Sequence, residues 1–322
     1  MSWTPRLIDV AKRPPKLLPG HRLCAGCMAP VIVKLAFAAL PDPDNVVVVN
    51  ATGCLEVATT IYPYTSWAVP WIHNAFENAA VTAAGVEAAF KRLKRRGAWK
   101  GDLPTILVFG GDGGTVDIGL QSLSGALERG HKIIYILYDN EAYMNTGIQR
   151  SGATFQFAAT TTSPGGKVIP GKPERKKPIA YIAAMHLNTY TATANPAYWA
   201  DFMKKVRKAA EYDGPAFIHA ISACPRGWRF DGKLSVTVSK LATDTCVFPL
   251  WEFDPNERKF RLTDRSKYLA DHPDKIIDVE EWLKLQGRFR HLFKPKKRDD
   301  LINIIRENVR REWEFLLRLA SI

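Results

Sequence analysis

An aspartate sits inside a run of glycines at Gly110-Gly111-Asp112-Gly113-Gly114, after an apolar stretch and before a helical pattern. Glycines in such a turn let the backbone approach a phosphate, and the start of the following helix favours an anion. A carboxylate beside a phosphate makes chemical sense when both hold a divalent cation. Mg²⁺ bound by one or two carboxylates plus phosphate oxygens is the usual case. A second polar cluster, Asp139-Asn140-Glu141-Ala142, follows another apolar stretch. If the two stretches are neighbouring strands of a parallel sheet, Asp112 and Asn140 converge on one metal at the edge where open α/β sheets bind ligands. Taken alone, each turn is also read as an ordinary strand–helix connection.

The five cysteines are Cys24, Cys27, Cys54, Cys224 and Cys246. An odd count argues against a disulfide framework and leaves thiols free to bind a metal. Cys24 and Cys27 form a C-x-x-C pair, which serves a zinc half-site, a redox dithiol or part of an iron–sulfur site. A redox dithiol favours a helix start after a strand, and no strand pattern precedes this pair. Cys54 and Cys224 each follow an apolar run. Four thiolates gathered at one sheet edge fit a [4Fe–4S] cluster or structural zinc. Any one of them is equally read as a buried apolar thiol, and Cys246 keeps that reading.

The elements that must position these residues alternate. Apolar runs at 46–50, 105–109, 133–138 and 215–223 predict strands; apolar positions recurring every three or four residues predict helices over 73–96, 116–128 and 198–212. Uniformly apolar strands separated by helices predict an α/β fold, a mostly parallel sheet with helices on both faces. The stretch 163–177, rich in Gly, Pro and Lys, predicts a long loop of functional or interface character. From Phe248 the pattern changes to a polar, proline-containing stretch and charged helices over 279–285 and 298–319. The division expected is therefore 1–247 and a C-terminal extension, 248–322. Trp313, Leu316 and Leu317 among many charges mark the last helix as an amphipathic arm, packing on its own body or on a partner.

The formal net charge is +13 over 322 residues. Residues 1–150 carry 15 Lys/Arg against 12 Asp/Glu, a net +3; the remainder carries 30 against 20, a net +10. Such a surface attracts nucleic acid, acidic proteins or anionic substrates; with no nucleic-acid-binding motif, the last two are expected. Apolar runs are too short to span a bilayer. Residues 1–20 hold two basic clusters and no apolar leader core, so the expectation is a cytoplasmic chain.

Five segments together make the pattern specific: His21–Cys27, Asn50–Cys54, Gly111–Gly114, Tyr138–Arg150 and Cys224–Trp228, with Trp71–Glu77 and Leu285–Phe289 in support. In order and spacing they resemble the beta subunit of pyruvate:ferredoxin oxidoreductases, across nearly the whole chain. The resemblance implies the thiamine-diphosphate-binding fold. It implies Cys24, Cys27, Cys54 and Cys224 as ligands of a [4Fe–4S] cluster close to the thiamine. Asp112 and Asn140 match side-chain ligands of Mg²⁺, and Ala142 matches a carbonyl ligand. Gly111, Asp112, Gly113 and Gly114 match the diphosphate-binding turn together with 140–145, Cys54 lies beside the cofactor, and Asn145 matches a catalytic position near the thiazolium. Met28 departs from the family's usual glycine. Ala29 stands where a thiamine-contacting glutamate can occur, so that contact is expected to be absent or supplied otherwise.

The activity implied is oxidative decarboxylation of pyruvate with coenzyme A to acetyl-CoA, CO₂ and reduced ferredoxin. The resemblance places the glutamate that activates the aminopyrimidine on an alpha subunit, so this chain is expected to hold half the cofactor and to be inactive alone. Gamma-type and ferredoxin-like subunits and an external ferredoxin complete the expected partners. Glu56 and Glu77 are local candidates for the activating base, with a partner-facing or structural role the more natural reading. Other substrates of the class are 2-oxoisovalerate, an aryl glyoxylate, 2-oxoglutarate or oxalate. From a different class, a zinc-binding structural subunit would use the cysteines but has no need of Asp112 and Asn140.

Overall fold

The computed structural model describes residues 3–321. Eight strands form one sheet: β1 (Val46–Ala51), β2 (Trp71–Asn74), β3 (Thr105–Gly111), β4 (Ile134–Asp139), β5 (Tyr190–Ala194), β6 (Ala216–Ile221), β7 (Trp251–Asp254) and β8 (Lys259–Leu262). Their order is β2-β1-β3-β4-β6-β5-β7-β8. From β2 to β5 all neighbours run parallel. β7 and β8, which lie beyond residue 247, extend the sheet antiparallel. The four central strands are apolar and buried on both faces, the signature of a parallel sheet covered by helices. The expected α/β fold is present.

On one face the helices Ala29–Ala39 and Trp199–Glu211 pack a core that includes Phe37, Phe109, Phe202 and Val206. On the other, Ala79–Arg95, Leu120–Glu128 and Ile179–Ala184 pack with Val108, Tyr135, Phe217 and Trp251. The C-terminal helix Asp299–Ser321 buries Leu301, Ile302, Ile305, Trp313 and Leu316. Of the two readings of this amphipathic arm, packing on its own body is the one observed. A third core, built on Trp228, Trp282 and Phe289, lies under the loops that leave β4 and β6.

Several features depart from the sequence reading. Where the sequence predicts a helix from residue 73, strand β2 occupies Trp71–Asn74 and the helix begins only at Ala79. The helix Ala29–Ala39 directly follows the C-x-x-C pair, and β5 is a short polar-looking strand, Tyr190–Ala194, buried throughout. Thr191 and Thr193 sit inside because their hydroxyls bond to the Thr189 and Pro249 carbonyls. Between Asp139 and Ile179 there is neither strand nor regular helix. Lys172, fully buried, holds this stretch by donating to the carbonyls of Thr154, Glu174 and Arg175, each at 2.9 Å. Among the described residues no helix is long and apolar enough to cross a membrane.

Candidate functional site

The strand order places four chain exits side by side. β1, β3, β4 and β6 are consecutive neighbours, and Gly111 pairs with Tyr138 while Asp139 pairs with Ile221. Cys54, Asp112, Asn140 and Cys224 follow the ends of these four strands by one to three residues. Parallel strands end at one edge, so all four residues arrive there together.

β3 runs into a widened helical turn, Gly113–Asp117, with Asp112 at its start. A Cβ at Gly113 would strike the Tyr143 ring, so only glycine lets the turn lie against the loop that follows β4. Asp112 is 1% exposed and accepts a hydrogen bond from the Ser151 hydroxyl. Burial, and after it the charge of Asp139, hold its carboxyl well above the ordinary range, against the pull of Ser151 and Lys176. The Asn140 amide end lies 2.9 Å from Asp112 Oδ1 and 2.9 Å from the Ala142 carbonyl oxygen. With its nitrogen turned inward, Asn140 donates to both. With its oxygen turned inward, three oxygens face one another, an arrangement a cation compensates. These donors fit Mg²⁺: one carboxylate, one amide oxygen and one carbonyl, with room left for phosphate oxygens. The buried, under-compensated Asp112 is the observation behind that fit.

The loop that carries Asn140 is tightly built. Glu141 adopts a left-handed backbone, φ 67°, and its N–H donates to Asp139 Oδ1 at 2.9 Å. The Thr154 hydroxyl donates to the Glu141 carbonyl at 2.7 Å, and the Trp228 indole to the Asn140 carbonyl at 2.7 Å. Below it, Lys176 bridges Asp139 at 2.8 Å and Glu141 at 2.7 Å. Burial alone would raise the Asp139 carboxyl; Lys176 and His219 outweigh it and hold the group below its ordinary range.

One cavity is lined by Gly111–Gly114, Asn140, Ala142, Asn145 and Cys54. The other three expected cysteines border that site rather than line it. Cys24 and Cys27 close a turn through Cys27 N–H to Cys24 carbonyl at 3.0 Å. Gly26 within it has φ +78° and lies so close to Gly232 that a side chain would collide with its backbone. The Cys224 sulfur accepts from the Gly227 N–H at 3.3 Å. Burial first, and then the charges of neighbouring cysteines, push the Cys27 and Cys54 thiols up to about 12; burial raises Cys224 as well. Charges on Cys24, Cys27 and Cys224 all bear on Cys54, so the four thiols form one neighbourhood, and a bound cationic group is what makes thiolates favourable there. Among the described residues no group of three or more His, Cys, Asp and Glu side chains converges as the ligands of one metal ion do. The cysteines are a looser set than a single-ion site, and the Asp112 site has only one carboxylate.

Cys246 stands apart. It is buried with the helices of the opposite face, lining a wider cavity of about 170 Å³ with Phe248, Trp251 and His219. That cavity contains none of the candidate residues, so chemistry rather than size selects the site. Glu56 lies 3.6 Å from His73, and neither Glu56 nor Glu77 lines the candidate cavity. Met28 is 4% exposed, packed in the third core with Ala223 and Trp228. Lys176, Ser151 and Arg288 were not foreseen as parts of the site. Arg288 lay in a recognised segment; nothing in the basic loop around Lys176 distinguishes it from a solvated lysine.

The C-terminal TPP binding domain of thiamine pyrophosphate enzymes matches residues 51–220. Pyruvate synthase subunit PorB of Thermotoga maritima is 50% identical over 305 residues, 94% of this chain and 91% of its own. The chain belongs to the family of pyruvate:ferredoxin oxidoreductase beta subunits. Ketoisovalerate oxidoreductase subunit VorB of Pyrococcus abyssi is 40% identical over 304 residues, 94% of this chain and 93% of its own. Among solved structures, 2-oxoglutarate:ferredoxin oxidoreductase from Magnetococcus marinus shares the fold, with TM-score 0.53 at 21% identity over 68% of this chain and 77% of that one.

Proposed function

We propose that this chain is the thiamine-diphosphate- and [4Fe–4S]-binding subunit of a pyruvate:ferredoxin oxidoreductase, working in the cytoplasm. The observation that carries the reading is the buried Asp112 carboxylate facing the Asn140 amide and the Ala142 carbonyl. Asp112, Asn140 and the Ala142 carbonyl hold Mg²⁺, and Gly111–Gly114 with 140–145 receive the diphosphate. Asn145 faces the thiazolium and substrate end. Cys24, Cys27, Cys54 and Cys224 hold the cluster at the border of the same cavity. When bound, thiamine supplies carbanion stabilisation for 2-oxoacid decarboxylation and the cluster supplies one-electron acceptance. The residues of this chain bind and orient; an alpha subunit brings the pyrimidine-side site and its glutamate. Gamma-type and ferredoxin-like subunits, coenzyme A and an external ferredoxin complete the reaction. The division at 247/248 is one of role: the first part carries every proposed ligand, and the extension buttresses it.

The second reading within the class is another 2-oxoacid. It is favoured by the VorB relative, whose name specifies ketoisovalerate. Anaerobic turnover of the purified complex across a panel of 2-oxoacids, with coenzyme A and a viologen dye, decides between them. Thiamine diphosphate binding to the assembled complex, with and without Mg²⁺, tests the site itself. Metal-independent binding would contradict it.

A further inference from the structure

Five titratable side chains run in a line under the metal loop, all buried but the partly exposed Lys176: His219, Asp139, Lys176, Glu141 and Arg288. His219 Nε2 lies 2.7 Å from Asp139, and Lys176 joins Asp139 to Glu141. Arg288 Nη1 lies 2.6 Å from Glu141 Oε2, with both side chains at most 2% exposed. The line therefore holds the two residues that flank Asn140. Its far end turns toward the cysteines. The Arg288 guanidinium stacks over the Trp228 ring, 4.0 Å from its centroid. Trp228 closes one helical turn with Cys224 through its N–H to the Cys224 carbonyl at 2.9 Å, and its indole holds the Asn140 carbonyl. The Gly287 N–H donates to the Arg229 carbonyl at 3.0 Å, fixing Arg288 against the same turn.

The charges along this line balance, two carboxylates against two cations, but its hydrogen bonds do not. Lys176 serves two carboxylates, and Arg288 is the cation at the end nearest Cys224. Its Nε donates to Gln286 at 2.9 Å and its Nη1 pairs with Glu141, but Nη2 is buried with no hydrogen-bond partner. A buried guanidinium N–H left unpaired is unfavourable, so it points to an acceptor brought by a bound group. A cluster on four thiolates is a net anion, and its reduction potential responds to nearby charge and to hydrogen bonds at sulfur.

We propose that Arg288 is a positioning and tuning residue joining the two halves of the site: it braces the Asn140 loop through Glu141 and Trp228, and its buried positive charge raises the reduction potential of a cluster held beside Cys224. The inference rests on the reading of the four cysteines as cluster ligands. It assigns the C-terminal extension a part in electron acceptance, although no proposed ligand lies there.

The test uses the assembled complex, purified anaerobically, and follows the cluster signal in electron paramagnetic resonance that Cys54→Ala removes. Arg288→Gln keeps a polar side chain and removes the charge. It is expected to retain iron and sulfide at the wild-type level while the midpoint potential of that signal moves to a more negative value. Arg288→Lys restores the charge and is expected to bring the potential back toward wild type. An Arg288→Gln complex with full iron and an unchanged potential overturns the proposal, as does iron loss in both variants. If Arg288→Gln does not assemble, Glu141→Gln carries the test. Removing the neighbouring anion leaves the guanidinium less compensated, so the potential should rise; an unchanged or lower value overturns the idea. A wild-type complex without this cluster defeats the cysteine reading itself, whereas a wild-type cluster indifferent to Arg288 defeats only the present one.

Discussion

Asp112 concentrates the chemistry of the candidate site at the scale of one residue. It is buried and has a neutral donor, Ser151, but no cation in direct contact among the described residues. Asp112→Ala removes the charged ligand of a bridging cation, so thiamine diphosphate and Mg²⁺ should bind the assembled complex at least about 100-fold more weakly. Ser151→Ala, which removes only the supporting hydroxyl, should cost roughly 10–100-fold, the usual effect of an outer-shell partner. Calorimetry on the complex reads both, and undiminished binding in Asp112→Ala sinks the assignment. The cysteines permit an equally local test. Wild-type protein should contain about four irons and four sulfides per chain, as four-thiolate cubanes do. Cys54→Ala or Cys224→Ala should lose them and Cys246→Ala, remote from the site, should keep them. One zinc per chain and no iron would favour a structural zinc site instead.

At the scale of elements, the metal loop depends on a lysine from a segment that looks like a solvated linker. Lys176 is the countercharge for two buried carboxylates, Asp139 and Glu141. Lys176→Met leaves Asp139 with only His219 and Glu141 with only Arg288, and should destabilise the fold by about 3–5 kcal/mol, the usual cost of breaking a buried pair. The pH dependence has a definite sign. Asp139 is held below the ordinary carboxylate range in the folded chain. Its contribution is therefore complete above that range and is lost as pH falls through and beneath it. The stability deficit of Lys176→Met, measured by thermal unfolding, should be full at pH 7 and shrink below about pH 4. A deficit constant across that window would mean that the lysine acts through packing alone.

For the whole molecule, the net charge of +13 has a distribution that matters more than its size. The basic helix end at 91–96 is partly neutralised, since Lys91 pairs with Glu87 and Lys94 lies 4.0 Å from Asp102. A different group stands out: Lys167, Arg229, Arg290, Lys294 and Lys296 surround a surface cavity of about 440 Å³ that no acidic residue lines. Exposed charges act over about a Debye length, roughly 8 Å at physiological salt, and so steer encounters. Reversing Lys294 and Lys296 to Glu should slow electron delivery to ferredoxin or loosen subunit association, most at low ionic strength. Rates and assembly that match wild type across a salt series would leave the patch a solvated face.

What the sequence by itself determined was local and ordered along the chain. Apolar runs marked the central strands, because a strand buried on both faces must be apolar throughout. The Asp112 turn, Asn140, Cys54 and Cys224 were visible as residue types at strand ends, and with the Cys24/Cys27 pair their joint spacing carried the family. β5 escaped notice, because its threonines are buried only by virtue of acceptors from elsewhere. The tertiary structure alone decided that β1, β3, β4 and β6 are neighbours, which turns four separate strand ends into one site. It also decided the support beneath that site. Lys176 read as an exposed loop cation, and Arg288 had no role of its own within 285–289, because such residues are almost never buried unless paired. Their partners, Asp139 and Glu141, belong to a distant segment, and only the folded chain brings the charges within reach of one another.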